Sequence, residues 1–229
     1  MFIGGFQKLS LIDFPGVVSS VVFSDGCNFR CPYCHNPGLV FPDRTKAISE
    51  EEVFFSIERA RKMVDGVVVT GGEPTIHSDL PDFLEKIKNL GLLVKLDTNG
   101  ANPGALRNIL SRSLVDYVAM DIKAPLEKYP EVAGVPVKRE NIVESMTVLR
   151  SSGVIYEFRT TIFPGYLSAA DYEGIAGLIL SGEDYYLQDI RYAKTLGGLF
   201  DPGARDTAEK IAEKLRRSFP ESSSRIFSR

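Results

Sequence analysis

The feature that most constrains the fold is a repeated order of apolar, β-branched runs followed by helical segments. Near-continuous apolar runs are typical of parallel strands that are buried on both faces, with the intervening helices as cover. The runs are Val17–Phe23, Gly66–Thr70, Leu92–Leu96, Val115–Ile122, Val154–Ile162 and Tyr185–Ile190. Six such units are too few for a closed eight-strand barrel. The pattern therefore predicts either a partial barrel or an open doubly wound sheet, and in both the ligands bind at the carboxyl ends of the strands.

Local signals place the helices between these strands. Ser49 with Glu52 has the form of a capping box, which predicts a helix from there to about Met63. The further predicted helices lie near Leu80–Asn89, from Pro103, over Asn141–Arg150 with Asn141 as the cap, from Ser168 with Asp171 completing its cap, and over Thr207–Arg217.

Composition excludes several classes of protein. Of the 229 residues 44% are hydrophobic and 25% charged, which suits a folded domain with a real core rather than a disordered chain. No apolar run approaches the roughly 18 residues of a membrane span. The segment Met1–Lys8 lacks the basic and apolar regions of a secretory signal, so we expect a cytoplasmic protein. The net charge of −3 argues against a nucleic-acid clamp, and we expect neither nucleic acid nor membrane as a partner.

The three cysteines carry the most chemistry. Cys27, Cys31 and Cys34 all fall within eight residues, directly after the first apolar strand. An odd, crowded set is not a disulfide framework, whereas thiolates suit zinc, copper(I) or iron–sulfur clusters. Zinc would require a fourth ligand, for which His35 and His77 are the only histidines. Three thiolates on a cubane would instead leave one iron without a protein ligand and open to a substrate.

Polar residues also follow three later strands. Gly71-Gly72-Glu73-Pro74 ends one strand, where the glycines allow close approach of backbone and the carboxylate can pair with an ammonium group. Asp97 and Asn99, before Gly100, can hydrogen-bond hydroxyls, although an Asx-type turn explains them nearly as well. Asp121 and Lys123 share one face of their strand by alternation, and buried charges there must be paired or ligand-bound.

These motifs together resemble the radical S-adenosylmethionine (SAM) enzymes. The resemblance rests on CxxxCxxC after the first strand with an aromatic residue before the third cysteine, and on the later strand-end motifs. It looks closest to the activating enzymes of glycyl-radical proteins, particularly those of anaerobic ribonucleoside-triphosphate reductase, through Phe14–Gly16 and Cys34–Pro37. It implies one domain over residues 1–229 with an α/β fold, a partial (β/α)6 TIM-like barrel of the radical SAM type.

The resemblance also implies the cofactors and their ligands. Cys27, Cys31 and Cys34 would hold a 4Fe–4S cluster, and the amino and carboxylate groups of SAM would chelate the fourth iron. A monovalent cation near Asp97 and Asp121 is a further feature of related activators. Arg159 could face the cavity or form a strand-to-strand ion pair, and Gln188 or Asp189 stands where some relatives have a histidine near the ribose. The implied SAM-binding candidates are Tyr33, His35, Gly71, Gly72, Glu73, Asp97, Asn99, Asp121, Lys123, Arg159 and Gln188.

The implied activity is a reaction in which an electron from flavodoxin or ferredoxin cleaves SAM to methionine and a 5′-deoxyadenosyl radical. That radical would take the α-hydrogen of a glycine in a partner enzyme, most specifically anaerobic ribonucleotide reductase. No acid–base pair is required beyond the cluster and SAM, and the absence of a second cysteine cluster excludes an inserted ferredoxin-like domain. Two alternatives stay open: a radical SAM enzyme acting on a small molecule, such as a deazaguanine-type synthase, and a non-catalytic zinc or electron-transfer module.

Overall fold

The computed structural model describes residues 1–43, 45, 47–163, 166–189, 195–198, 211, 213–217 and 226–228. The strands are β1 (Ile3–Ser10), β2 (Ser19–Ser24), β3 (Gly66–Gly71), β4 (Leu93–Thr98), β5 (Tyr117–Asp121), β6 (Ile155–Ile162), β7 (Tyr185–Asp189) and β8 (Ile226–Ser228). The α-helices are α1 (Glu50–Ala60), α2 (Leu80–Asn89), α3 (Pro103–Ser111), α4 (Tyr129–Ala133), α5 (Arg139–Ser152) and α6 (Ala169–Ala176). None of the described helices is long and apolar enough to cross a bilayer.

The chain forms two compact units. The first consists of Met1–Asn28, Gly38–Ala119 and Asn141–Ile155. The second consists of Phe29–Pro37, Met120–Glu140 and Tyr156–Arg229. The organisation of residues 1–229 as one domain stays a prediction.

In the first unit the strand order is β1-β2-β3-β4-β5. β1 runs antiparallel to β2, while β2, β3 and β4 are mutually parallel. Val21 and Val68 pair in register and pack with Phe14, Tyr117 and Ala119 in one apolar core. Because the parallel strands point the same way, the cysteine loop, the Gly-Gly-Glu segment and the segment after β4 all leave the sheet at one edge.

The second unit contains the end of β5, and in it β6, β7 and β8 follow one another in the sheet and run parallel. A buried chain of hydroxyls crosses these strands. The Tyr185 hydroxyl donates to Thr160 Oγ1 at 2.8 Å, and the Thr160 hydroxyl donates to the Ile122 carbonyl at 2.8 Å. Burial raises the pKa of Tyr185, so its hydroxyl remains a donor at neutral pH.

The six predicted strands are confirmed, but two others were missed. β1 carries two glycines and is exposed over much of its length, so no apolar periodicity marks it in the sequence. β8 is only three residues long and follows a serine-rich stretch. Neither strand interrupts the predicted alternation of parallel strands and helices.

Most helix starts are confirmed, and one was wrong. Ser49 and Ser168 form complete capping boxes with Glu52 and Asp171, and Asn102 caps the helix at Pro103. α5 begins at Arg139, so Asn141 is not its cap; its amide donates instead to the Ala101 carbonyl at 2.9 Å.

Two other helix predictions were imprecise or only partly testable. α1 ends at Ala60 rather than near Met63, and α4 was not predicted. The helix predicted over residues 207–217 is helical at 211 and 213–217, and its remaining residues lie outside the described part of the chain.

Removing the Ser145 hydroxyl is expected to lower the free energy of unfolding by about 1–3 kcal/mol. This fully buried hydroxyl donates to the Gly100 carbonyl at 2.7 Å and so ties α5 to the segment after β4. Chemical denaturation of Ser145→Ala would measure the loss. The matched control is Ser111→Ala, whose exposed hydroxyl donates to Asn108 O at 3.0 Å and should change stability by less than about 0.5 kcal/mol. Equal losses in the two variants would contradict the expectation.

Candidate functional site

In the first unit, two glycines position the loop that leads to the cysteines. The Gly71 backbone has φ +111°, and a Cβ there would lie 2.4 Å from Ser24 N. A Cβ on Gly72 would lie 2.0 Å from the Gly26 carbonyl oxygen. Gly72 N donates to Ser24 O at 2.9 Å, and Glu73 N donates to Gly26 O at 2.8 Å. The close approach that the sequence predicted for a ligand is made here by the backbone preceding Cys27.

The Glu73 carboxylate is almost completely buried, with 1% exposure, and joins two strand ends. Its Oε1 accepts hydrogen bonds from Thr75 N, Thr75 Oγ1 and Thr98 Oγ1 at 3.1, 2.5 and 2.7 Å. Its Oε2 accepts from Asn99 N at 2.6 Å. Burial raises the pKa of Glu73, and the four donors only partly offset that rise. Glu73 thus holds the loops after β3 and β4 together.

The segment after β4 combines a turn with an ion pair. Asn99 Oδ1 accepts from Ala101 N at 3.0 Å, which forms the Asx-type turn that the sequence offered as an alternative. The Nδ2 of the same side chain donates to Asn28 Oδ1 at 2.8 Å. Asp97 is partly buried and accepts a hydrogen bond from the ammonium of Lys95. Sequence reasoning missed Lys95, although its spacing of two residues from Asp97 on a strand was the available signal.

In the second unit, Asp121 lies between two cations. Its Oδ1 accepts from Arg159 Nε and its Oδ2 from Lys123 Nζ, both at 2.8 Å. Burial alone would raise the pKa of Asp121, but Arg159 and Lys123 hold it well below its usual range. Burial would likewise lower the pKa of Lys123, but Asp121 raises it well above its usual range. The ion pair considered for Arg159 is therefore present.

Cys31 and Tyr33 lie in the same unit and respond to the same charges. Cys31 is 7% exposed, and burial raises the pKa of its thiol while the nearby Lys123 ammonium opposes that rise. Burial and the Cys31 thiolate raise the pKa of Tyr33, whose ring packs 5.2 Å from that of Phe163. Cys34 N donates to Cys31 O at 3.0 Å, which closes the turn between the last two cysteines.

The positions of the remaining predicted site residues say little about their roles. His35 is exposed, and Gln188 is half-buried on β7 opposite Thr161. The side chain of Asp189 lies outside the described part of the chain. Besides Lys95, sequence reasoning missed Thr75 and Thr98, the hydroxyls that bind Glu73. It also missed Tyr129, whose hydroxyl accepts from Lys123 N at 3.1 Å.

With this geometry in place, comparison with known proteins identifies the family. The family model for the radical SAM superfamily matches residues 21–170. The chain belongs to the radical SAM superfamily. The cofactors predicted from the sequence, a 4Fe–4S cluster and SAM, are those of this family, and the prediction of an enzyme of this class is confirmed.

Curated relatives differ in what they do. A protein of Methanocaldococcus jannaschii, provisionally named a glycyl-radical enzyme activating enzyme, is 33% identical over 194 residues, covering 82% of this chain and 79% of its own. The pyruvate formate-lyase-activating enzyme of Clostridium pasteurianum is 34% identical over 51% of this chain and 50% of its own. A 7-carboxy-7-deazaguanine synthase of Hyperthermus butylicus is 36% identical over 42% of this chain and 40% of its own.

Solved structures confirm the predicted fold. SuiB of Streptococcus suis bound to S-adenosylmethionine has a TM-score of 0.70 at 14% identity, covering 91% of this chain and 49% of the SuiB chain. The AdoMet-bound structure of anSMEcpe has a TM-score of 0.63 at 16% identity, covering 90% of this chain and 61% of the other. The chain therefore has the partial (β/α)6 barrel fold of the radical SAM type. At these identities the likeness shows the fold alone.

The residues present fit a cluster and SAM. All three cysteines are free of disulfides, and Lys123 lies close enough to Cys31 to favour its thiolate. Among the described residues, no three His, Cys, Asp or Glu side chains converge on a single metal ion. A cubane does not require such convergence, because each of its thiolates binds a different iron. The Lys123 ammonium is 16% exposed and can also meet a carboxylate such as that of the methionyl group.

A monovalent cation at Asp97 does not fit the charges present. The Lys95 ammonium, 1% exposed, already contacts this carboxylate. A second positive charge about 4 Å from that ammonium would be repelled by about 4 kcal/mol at an effective dielectric constant of about 20, which offsets an attraction of about the same size to the carboxylate. Asp121 is likewise paired, with Arg159 and Lys123. The cation expected from the sequence therefore has no place beside Asp97.

Replacing Gly72 by alanine is expected to displace the cysteine loop. The added Cβ would overlap the Gly26 carbonyl, and only backbone movement relieves that overlap. We expect Gly72→Ala to lower the unfolding midpoint and the iron and sulfide content after anaerobic reconstitution. The matched control is Gly38→Ala, whose Cβ would meet nothing within 4 Å. Iron retention by Gly72→Ala at the control level would contradict this account.

The Asp121 carboxylate is expected to make stability pH-dependent in acid. Its folded pKa lies below the ordinary 3.8, so its contribution is full above pH 3.8 and is lost as pH falls toward the folded pKa. Asp121→Asn should destabilise the protein by about 3 kcal/mol at pH 7, because Lys123 and Arg159 lose their shared partner. Denaturation at several pH values should show this difference shrinking below pH 3.8. A difference that is the same at pH 7 and pH 3 would be inconsistent with the ion pairs.

Proposed function

We propose that this chain is an activating enzyme that generates a glycyl radical on a partner enzyme. The observation that carries the proposal is the match to the archaeal relative named for this activity, which spans 82% of this chain and 79% of that protein. The match to the clostridial pyruvate formate-lyase-activating enzyme, over half of each chain, supports it. The sequence has no cysteine beyond Cys27, Cys31 and Cys34, which suits a reaction that uses one cluster.

The chain's own contribution to the cluster is a fixed loop with three thiolates. Cys27, Cys31 and Cys34 would bind three irons. The loop before Cys27 is held against the strand end by Gly71 and Gly72, while Cys27 N donates to Val40 O at 3.2 Å. Fixing the backbone at Cys27 lowers the reorganisation needed when its thiolate binds metal. When bound, the cluster and SAM supply reductive cleavage of SAM to methionine and a 5′-deoxyadenosyl radical.

The strand-end residues are the ones that we propose for SAM recognition. Lys123, kept protonated by Asp121, would bind the methionyl carboxylate, and Arg159 would hold Asp121 in place. Asp97 and Asn99 would meet hydroxyl groups. Glu73 would meet the amino group while holding the loop after β4. Tyr33, His35 and Gln188 complete the proposed SAM-binding residues, and Asp121 contributes through its ion pairs.

The partner we propose is anaerobic ribonucleoside-triphosphate reductase, with flavodoxin or ferredoxin as the electron donor. The partner assignment is supported by the resemblance of Phe14–Gly16, Cys34–Pro37 and Met120–Lys123 to the activators of that reductase. The chain would orient SAM and exclude competing reactions of a reactive radical.

A small-molecule reaction is the second candidate. It is favoured by the 36% identity to a 7-carboxy-7-deazaguanine synthase, but that match covers 42% of this chain, half the share of the archaeal relative. The shorter match supports this candidate less than the longer match supports the first.

Electron paramagnetic resonance tests the proposed partner. Reconstituted protein, SAM and a reductant are mixed with the anaerobic ribonucleotide reductase of the same genome, and a glycyl radical doublet on the reductase is expected. Cys34→Ala is the control, since it lacks a thiolate that holds the cluster and should give no doublet. Doublets on another glycyl-radical enzyme of that genome would change the partner and keep the activity. Cleavage of SAM with no radical on any such enzyme would favour the small-molecule reaction.

A further inference from the structure

Lys95 is a fully buried lysine in the first unit that the proposed chemistry does not use. Its side chain is 1% exposed, on the central strand β4. Its register partner on β3 is Val68, which belongs to the apolar core with Tyr117. The ammonium lies 6.0 Å from the centre of the Tyr117 ring. An apolar layer of this kind would ordinarily be filled by leucine or isoleucine, because a buried ammonium loses its hydration.

The side chain that compensates this ammonium is Asp97. Lys95 and Asp97 are two residues apart on β4, so both lie on the same face of the sheet. Lys95 Nζ donates to Asp97 Oδ1. Asp97 is 15% exposed while Lys95 is not, so the pair has a dry cationic end and a solvent-accessible anionic end. The Tyr117 ring adds a cation–π contact on the dry side.

The Lys95 ammonium gives Asp97 the single positive charge that a monovalent cation would give it. A monovalent cation beside Asp97 would balance the charge of this carboxylate. The ammonium of Lys95 does the same from within the core, and it is attached covalently. Potassium or sodium would have to displace a buried ammonium that has no other carboxylate partner among the described ion pairs.

We infer that Lys95 is a built-in cation, which balances and orients Asp97 for SAM binding so that the site needs no monovalent metal ion. Lys95 acts through Asp97 and is therefore a positioning residue. The inference rests on the use of SAM and not on the identity of the partner enzyme. Binding of SAM is measured without any partner, so failure of the glycyl-radical proposal would leave this test intact.

The test compares salts at equal ionic strength: potassium chloride, sodium chloride and tetramethylammonium chloride. Two quantities are measured in each, the SAM affinity of the reconstituted protein and the unfolding midpoint of the cluster-free chain. For the unsubstituted protein we expect both to be indistinguishable in the three salts. Lys95→Met should bind SAM about tenfold more weakly in tetramethylammonium, equivalent to about 1.4 kcal/mol. Potassium or sodium should restore part of its affinity and raise its unfolding midpoint.

Two further variants keep the test decisive. Lys95→Arg keeps the positive charge, so its SAM affinity and its unfolding midpoint should be the same in the three salts. Lys86→Met, which removes an exposed lysine paired with Glu50, controls for the loss of a charge. A requirement of the unsubstituted protein for potassium or sodium would overturn the inference. So would an equal loss in Lys95→Met in all three salts, which would reduce Lys95 to a structural ion pair. If Lys95→Met does not fold, the salt series on the unsubstituted protein and Lys95→Arg decides.

Discussion

The buried Glu73 carboxylate is the interaction on which the site of the first unit depends. A carboxylate with 1% exposure must find donors within the protein, and it finds four, from Thr75, Thr98 and Asn99. These donors belong to the segment after β3 and to the end of β4 with the residue that follows it. The hydrogen bonds that a buried carboxylate needs therefore hold the ends of β3 and β4 together. The contact of Gly71 and Gly72 with Ser24 and Gly26 holds the segment before Cys27 against the same strand end.

Much of the fold could be predicted because the strands of a buried parallel sheet appear in the sequence as a simple pattern of apolar runs. Strands buried on both faces, such as β2 and β3, appear as apolar runs, and capping boxes such as that of Ser49 and Glu52 mark helix starts. β1 was not predicted, because a partly exposed edge strand needs no apolar run. Asn141 was predicted as a cap, but the helix begins earlier, at Arg139, so Asn141 lies inside α5 and its amide donates to the Ala101 carbonyl.

The sequence predicted which polar side chains follow the strand ends, but not the contacts that each of them makes. Polar residue types at strand ends predict a ligand site there. Which hydrogen-bond or ion-pair partner each side chain takes depends on distances that cannot be read from the sequence. Glu73 was expected to meet SAM, and its oxygens face Thr75, Thr98 and Asn99. Asn99 was a candidate hydroxyl ligand and forms the Asx-type turn. Arg159 could equally have been a ligand contact or an ion pair, and Asp121 forms that ion pair.

Lysine and aspartate are spaced by two residues both on β4 and at the end of β5, but in opposite order. On β4 lysine comes first, and Lys95 is 1% exposed with its ammonium on Asp97, toward the carboxyl end. At the end of β5 aspartate comes first, so Lys123 lies beyond Asp121 on the carboxyl side, with 16% exposure. Both aspartates are partly exposed, 15% for Asp97 and 22% for Asp121, so the two pairs differ in the burial of the lysine. On the proposal that SAM binds at the carboxyl ends, Lys123 would meet an anionic group directly, whereas Lys95 would act through Asp97.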